Sequence, residues 1–301
     1  MSENQVQSVE ALFGHPLAIW QTLKDRVQHE NLKKFSDIAQ DFLDLLWCLD
    51  QYRILGLPPR DMGKPENTDA SRLSGAYRMK GGWFADVVAL LLINQTSSPL
   101  APRTNVQGFS QLHQIDIAWP ARSQPILDPL VCVETKVMGA PAYGSTKARG
   151  AMSDWSNRRK ELKFQSTDLK LYRRQSQTRI DHWDHWRKAA PPKVFFLWCA
   201  RLNEPRDKVP KMIAEVRALT ETYLDGAGIF AYRLATSGTG YEVVELGQAD
   251  RVVRLDDVIQ RIANEINDLV LPGGAAPPPE IPVGRAVAIA DLVKDSKAAG
   301  E

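Results

Sequence analysis

The run Lys193-Val194-Phe195-Phe196-Leu197-Trp198-Cys199-Ala200 limits the fold more than any other stretch of the chain. It has the length of a strand and, after the lysine, offers no polar face to water. A strand that is apolar on both faces must be covered on both, which calls for helices on either side of a sheet. Helical patterns are available to do this. Ile38, Phe42, Leu45, Leu46 and Leu49 recur at helical spacing in a stretch from about Val9 to Gln51, with Ser36 or Asp37 as a cap. Trp83 to Ile93 is apolar nearly all round, which marks a buried helix. Further helices are expected at about Lys208–Tyr223 and Leu255–Val270. Strands are expected at Gly228–Ala235 and Tyr241–Leu246, joined through Ser237-Gly238-Thr239-Gly240. The fold class is therefore α/β, a sheet flanked by helices.

Composition narrows the class. The 301 residues are 44% hydrophobic and 25% charged, ordinary values for a chain that builds a core. Cys48, Cys132 and Cys199 are odd in number, widely spaced and set in apolar runs, so they read as reduced core residues. No apolar run has the length of a membrane span, and the start MSENQVQSVE lacks the regions of a signal peptide. A soluble, cytoplasmic protein with no membrane partner is expected. No GK[ST] phosphate loop occurs, so ATP use by this chain alone is not expected. The Pro-rich stretch from Gly56 to Ser74 reads as a linker, dividing a helical N-terminal region (1–75) from an α/β domain (76–271). Residues 272–301, with Pro272-Gly273-Gly274 and Pro277-Pro278-Pro279, read as a linker and a mobile or partner-binding tail.

Chemistry concentrates in Gln114-Ile115-Asp116-Ile117-Ala118-Trp119 and Val131-Cys132-Val133-Glu134-Thr135-Lys136, reached through a polar stretch from Asn94 to Gln111. Read as two strands, each alternates its side chains, so Glu134 and Lys136 share a face opposite Val131, Val133 and Val137. One register buries both apolar sets and gathers Asp116, Glu134 and Lys136 on the other face. Two carboxylates beside an amine can hold a divalent metal and a water. The bland reading of Glu134 and Lys136 is a surface ion pair. Pro120 to Pro129 separates the strands as a loop, with Asp128 read as a turn residue.

Asp86 is the only charged residue of its apolar run. It should meet a cation, a metal or several donors, or else sit partly solvated in the helix's first turn. Net charge is +2, but Lys147 to Lys193 holds 13 Lys and Arg against 5 Asp and Glu, a local +8. Such a segment suits a polyanion, with Lys147, Arg149, Arg158, Arg159, Lys163, Lys170, Arg173 and Arg174 as candidate phosphate contacts. His182-Trp183-Asp184-His185-Trp186 lacks a third clear ligand for zinc, so its tryptophans read as packing anchors.

The order of a buried helix with a lone acid, an acid on one strand, E-x-K on the next, a basic helix and an apolar strand resembles the PD-(D/E)xK nuclease superfamily. The resemblance covers roughly Lys80 to Ala200, with Asp116, Glu134 and Lys136 at the motif positions. Lys80-Gly81-Gly82 before Asp86 looks like the family's helix feature, with Asp where Glu is more usual. Ile115 stands where the motif's proline would precede the first acid. The resemblance implies a restriction-endonuclease-like mixed sheet over 76–271 and a Mg²⁺-dependent DNA endonuclease, with Mn²⁺ able to substitute. It also implies restriction or anti-phage defence, acting as a homodimer or in a larger defence complex. Asp116, Glu134 and the Thr135 carbonyl would ligate the metal, Asp86 would support it, and Lys136 would act on the attacking water. Two alternatives stand beside this: a non-catalytic nucleic-acid-binding or assembly subunit, and an RNA-directed or nucleotide-triggered nuclease of a defence complex.

Overall fold

The structure is a computed structural model describing residues 14–54, 69–121, 124–142, 147–171, 191–203, 207–247 and 253–269. Arg173, Arg174, the His182–Trp186 cluster and the 272–301 tail lie outside the described residues. The chain divides into two compact units, Met1–Ile266 and Asn267–Glu301, and the first holds the whole sheet.

The middle layer of this first unit is a six-stranded sheet in the order β1-β2-β3-β4-β5-β6: β1 Ala101–Gln107, β2 Leu112–Trp119, β3 Val131–Met138, β4 Lys193–Arg201, β5 Gly226–Leu234 and β6 Tyr241–Val244. β3, β4 and β5 run parallel, and the remaining neighbours are antiparallel. Parallel neighbours need a long crossover. Helix α4 (Trp155–Leu171) lies in the β3–β4 connection and α5 (Val209–Thr220) in the β4–β5 connection. β4 is buried from Val194 to Arg201, as its apolar run requires. Phe196, Trp198 and Ala200 meet α4 and α5, where Trp155 stacks on Trp198 at 4.7 Å.

The N-terminal helices belong to the same unit. These are α1 (Pro16–His29), a 3₁₀ turn (Phe35–Ile38), α2 (Ala39–Ile54) and α3 (Asp69–Thr96). Phe35 packs edge-on against Phe42, Phe84 and Phe230, joining the 3₁₀ turn, α2, α3 and β5 in one aromatic cluster. Each such ring contributes roughly 2–3 kcal/mol by burial. Lys80 Nζ of α3 lies 2.5 Å from Asp50 Oδ1 of α2, and Tyr241 of β6 donates to Asp50 Oδ2 at 2.7 Å.

Four expectations are corrected. The boundary at 75 and the end of the linker fall inside α3, which runs unbroken through Gly81-Gly82. Burial of its apolar face outweighs the roughly 1 kcal/mol that each helical glycine costs. Asp86 is consequently far from the first turn. The polar stretch before Gln111 contains β1, whose ladder is fixed by its partner β2 and not by an alternation of its own. Ser36 and Asp37 lie within the 3₁₀ turn, and the cap is Asp256 of α6 (Leu255–Leu269), which accepts from Phe35 N at 2.6 Å and Ser36 N at 3.1 Å.

The outer side of β1 is partly covered. Ile126 of the 120–130 loop donates to Asn105 O and accepts from Gln107 N, both at 2.9 Å. Among the described residues, no helix is long and apolar enough to cross a membrane.

Candidate active site

The β2–β3 ladder pairs Trp119 with Val131, Ala118 with Cys132 and Ile117 with Val133. The next step in this register sets Asp116 across from Glu134, on one face, where a one-residue slip would have separated them. At that step a side chain takes over from the backbone. Asp116 Oδ2 accepts from Thr135 N at 2.8 Å and from Thr135 Oγ1 at 2.9 Å. The carboxylate is thereby fixed in the fork between the strands.

Lys136 sits between the two acids. Its ammonium is ion-paired to Glu134 Oε1 and lies 3.8 Å from Asp116 Oδ2. Glu134 is 6% exposed, so the pair is not a surface one, and its Oε2 is buried without a hydrogen-bond partner. Burial pushes the Glu134 carboxyl up to about 7, against the pull of Lys136 and with added repulsion from Asp116 and Glu161. Asp116 and Lys136 are each about a quarter exposed, so the site opens to solvent on that side.

Asp86 meets a cation, as its solitude in the apolar run Trp83–Ile93 requires. The partner is Arg103 of β1, whose Nη1 donates to Asp86 Oδ1 at 2.7 Å. Burial raises the Asp86 carboxyl and Asp116 repels it further, while Arg103 and Lys24 draw it down. Asp116, Glu134 and Asp86 do not close into a metal cluster. Among the described residues no group of three His, Cys, Asp or Glu side chains is arranged to hold an ion. Arg103 escapes sequence reasoning because it lies in a stretch without strand alternation, and only the fold brings it to Asp86.

The basic segment is largely engaged with the protein itself. Arg158 pairs with Glu161, Arg159 with Glu215 at 2.9 Å, and Lys163 lies over the Tyr223 ring at 4.7 Å. Lys170 bonds Asp225 Oδ2 at 2.8 Å and Tyr223 O at 2.7 Å. The contacts of Arg159, Lys163 and Lys170 fasten α4 to α5 and to the turn after it. Lys147 and Arg149 are exposed. An acid that sequence reasoning misses, Asp168 of α4, pins the β1–β2 connection by accepting from Ser110 N at 2.9 Å and pairing with buried His113 at 2.7 Å.

The whole arrangement is an all-oxygen acid pair around one ammonium, with a bare buried oxygen and an opening to water. No protein family, curated protein or solved structure matches this chain.

Proposed function

We propose that this chain is a metal-dependent DNA endonuclease with a restriction-endonuclease-like fold. The observation that carries the reading is the convergence of Asp116 and Glu134 on Lys136 at the end of the β2–β3 ladder, with Glu134 Oε2 left bare. Leaving a buried carboxylate oxygen without a donor is costly, and a cation would relieve it. The donor set fits Mg²⁺, which takes one or two carboxylates and keeps several waters. Asp116, Glu134 and the Thr135 carbonyl would hold the ion, Asp86 would support it, and Mn²⁺ could replace it. When bound, the ion lowers the pKa of water and offsets charge on the phosphodiester.

The chain's own groups do the rest. Lys136, fixed by Glu134, orients the attacking water by a hydrogen bond and stabilises the extra negative charge of the pentacovalent state; the water's proton passes to solvent at the open side as the P–O bond to the leaving oxygen breaks. Asp116, held by the Thr135 N–H and hydroxyl, keeps its carboxylate at the strand fork. DNA is the proposed substrate, with restriction or anti-phage defence in the cytoplasm as the setting and a homodimer or larger complex as the working form.

One observation favours a non-catalytic DNA-binding subunit: Asp86 is engaged by Arg103 and not turned to the acid pair. The two readings separate cleanly. Glu134→Ala and Lys136→Ala should each lower Mg²⁺-dependent cleavage of supercoiled plasmid by at least about a hundredfold. Undiminished cleavage by both folded variants would overturn the nuclease reading. Wild-type protein that binds DNA with a steep salt dependence but never cuts it would establish the alternative.

A further inference from the structure

Three non-glycine residues among those described have a left-handed φ: Asn31 (50°), Ser97 (52°) and Arg103 (43°). Asn31 follows the C-cap Glu30 of α1 and Ser97 follows the last residue of α3, places where such a conformation is common. Arg103 lies inside a strand, where it strains the backbone and requires a local reason. The flanking pairs Pro102↔Ile117 and Thr104↔Ile115 set Arg103 across from Asp116, the first acid of the site. From that position its guanidinium reaches Asp86 on α3.

The charges form a continuous line. Glu134 holds Lys136, Lys136 lies 3.8 Å from Asp116, Asp116 stands across from Arg103, and Arg103 pairs with Asp86. Arg103 is a quarter exposed and Asp86 barely more, so neither is sealed in the core. A guanidinium is the side chain best matched to a phosphodiester, because its fork of N–H groups meets two oxygens at once. Asp86 sits in an apolar helical run with about a quarter of its side chain exposed, so it needs a cation nearby whether or not a ligand is bound. A residue that neutralises Asp86 in the absence of ligand and is strained into the site serves both needs.

We infer that Arg103 is a phosphate-binding switch. Paired with Asp86 at rest, it transfers to a non-bridging oxygen of the DNA backbone, and Asp86 is released to a divalent cation. This rests on the phosphodiesterase reading above. It also accounts for Asp86 standing apart from the other two acids.

The switch has a signature of two opposite signs, measurable without turnover. In Arg103→Ala, a short DNA duplex should bind more weakly in EDTA by roughly tenfold to a hundredfold, followed by fluorescence anisotropy. In the same variant without DNA, Mn²⁺ should bind more tightly by titration calorimetry, because Asp86 has lost its competitor. Asp86→Asn should weaken Mn²⁺ binding. Arg103→Lys, which keeps the charge but not the fork, should fall between wild type and alanine for DNA, and thermal melts should show each variant folded. Unchanged DNA affinity in Arg103→Ala, or Mn²⁺ affinity that is unchanged or lower, would overturn the switch. If Mg²⁺-dependent cleavage still needs Glu134 and Lys136, hydrolysis stands and only the role of Arg103 is lost. If the wild type never cleaves DNA, the phosphodiesterase reading falls and the switch falls with it.

Discussion

A carboxylate that is almost fully buried, with one oxygen on an ammonium and the other on nothing, is charged at neutral pH only against the pull of its surroundings. Glu134 is in this position, and its folded pKa of about 7 lies above its ordinary 4.5. Between those values the native state keeps a proton that the unfolded chain has released. Stability therefore falls as pH rises from about 4.5 to about 7 and levels off above. Glu134→Gln removes the titration. Urea denaturation in metal-free buffer should show the variant more stable than wild type at pH 8 by roughly 1–3 kcal/mol, with little difference at pH 4.5. A less stable Gln variant at pH 8 would mean that attraction to Lys136 outweighs desolvation. Under the proposed nuclease function the same substitution should also abolish cleavage, an exchange of stability for activity.

At the scale of elements, the basic segment from Lys147 through α4 has two tasks that composition alone blends together. Composition marks its cations as one DNA-facing set, yet Arg159 and Lys170 are tied to Glu215 and Asp225. Lys170→Ala should lower unfolding stability by roughly 1 kcal/mol, because its ammonium is only partly solvated, and should leave the salt slope of DNA binding almost unchanged. Lys147→Ala and Arg149→Ala should do the reverse, each reducing that slope by about 0.9 with little change in the urea midpoint. Arg159 and Lys170 are engaged by acids more than fifty positions downstream, and no local pattern carries that information. The same limit explains the other elements. β4 is legible because its run from Val194 to Ala200 has no polar face, and β3 because its valines alternate with Glu134 and Lys136. β1 is not, since Ala101-Pro102-Arg103-Thr104-Asn105 has neither signal and takes its form from β2. α3 hides its first half behind two glycines that packing tolerates.

For the molecule as a whole, Asp50, Lys80 and Tyr241 join α2, α3 and β6 through one buried ionic contact, so the helical N-terminal region and the sheet stand or fall together. Lys80→Met should cost about 3–5 kcal/mol in chemical denaturation, because it leaves Asp50 charged in the core. Adding Asp50→Leu should restore much of the loss, which a simple packing defect at position 80 would not allow. The margin of the sheet has a consequence of its own. A bare edge strand invites run-on association, one chain templating the next until a fibre forms. β1 is defended along its length. Pro102 has no N–H to offer, Arg103 turns the backbone out of line, and Asn105 and Gln107 already pair with Ile126. A chain that keeps Arg103 and its charged partner Asp86 beside an outer strand can therefore do so at high concentration without adding strands from that side.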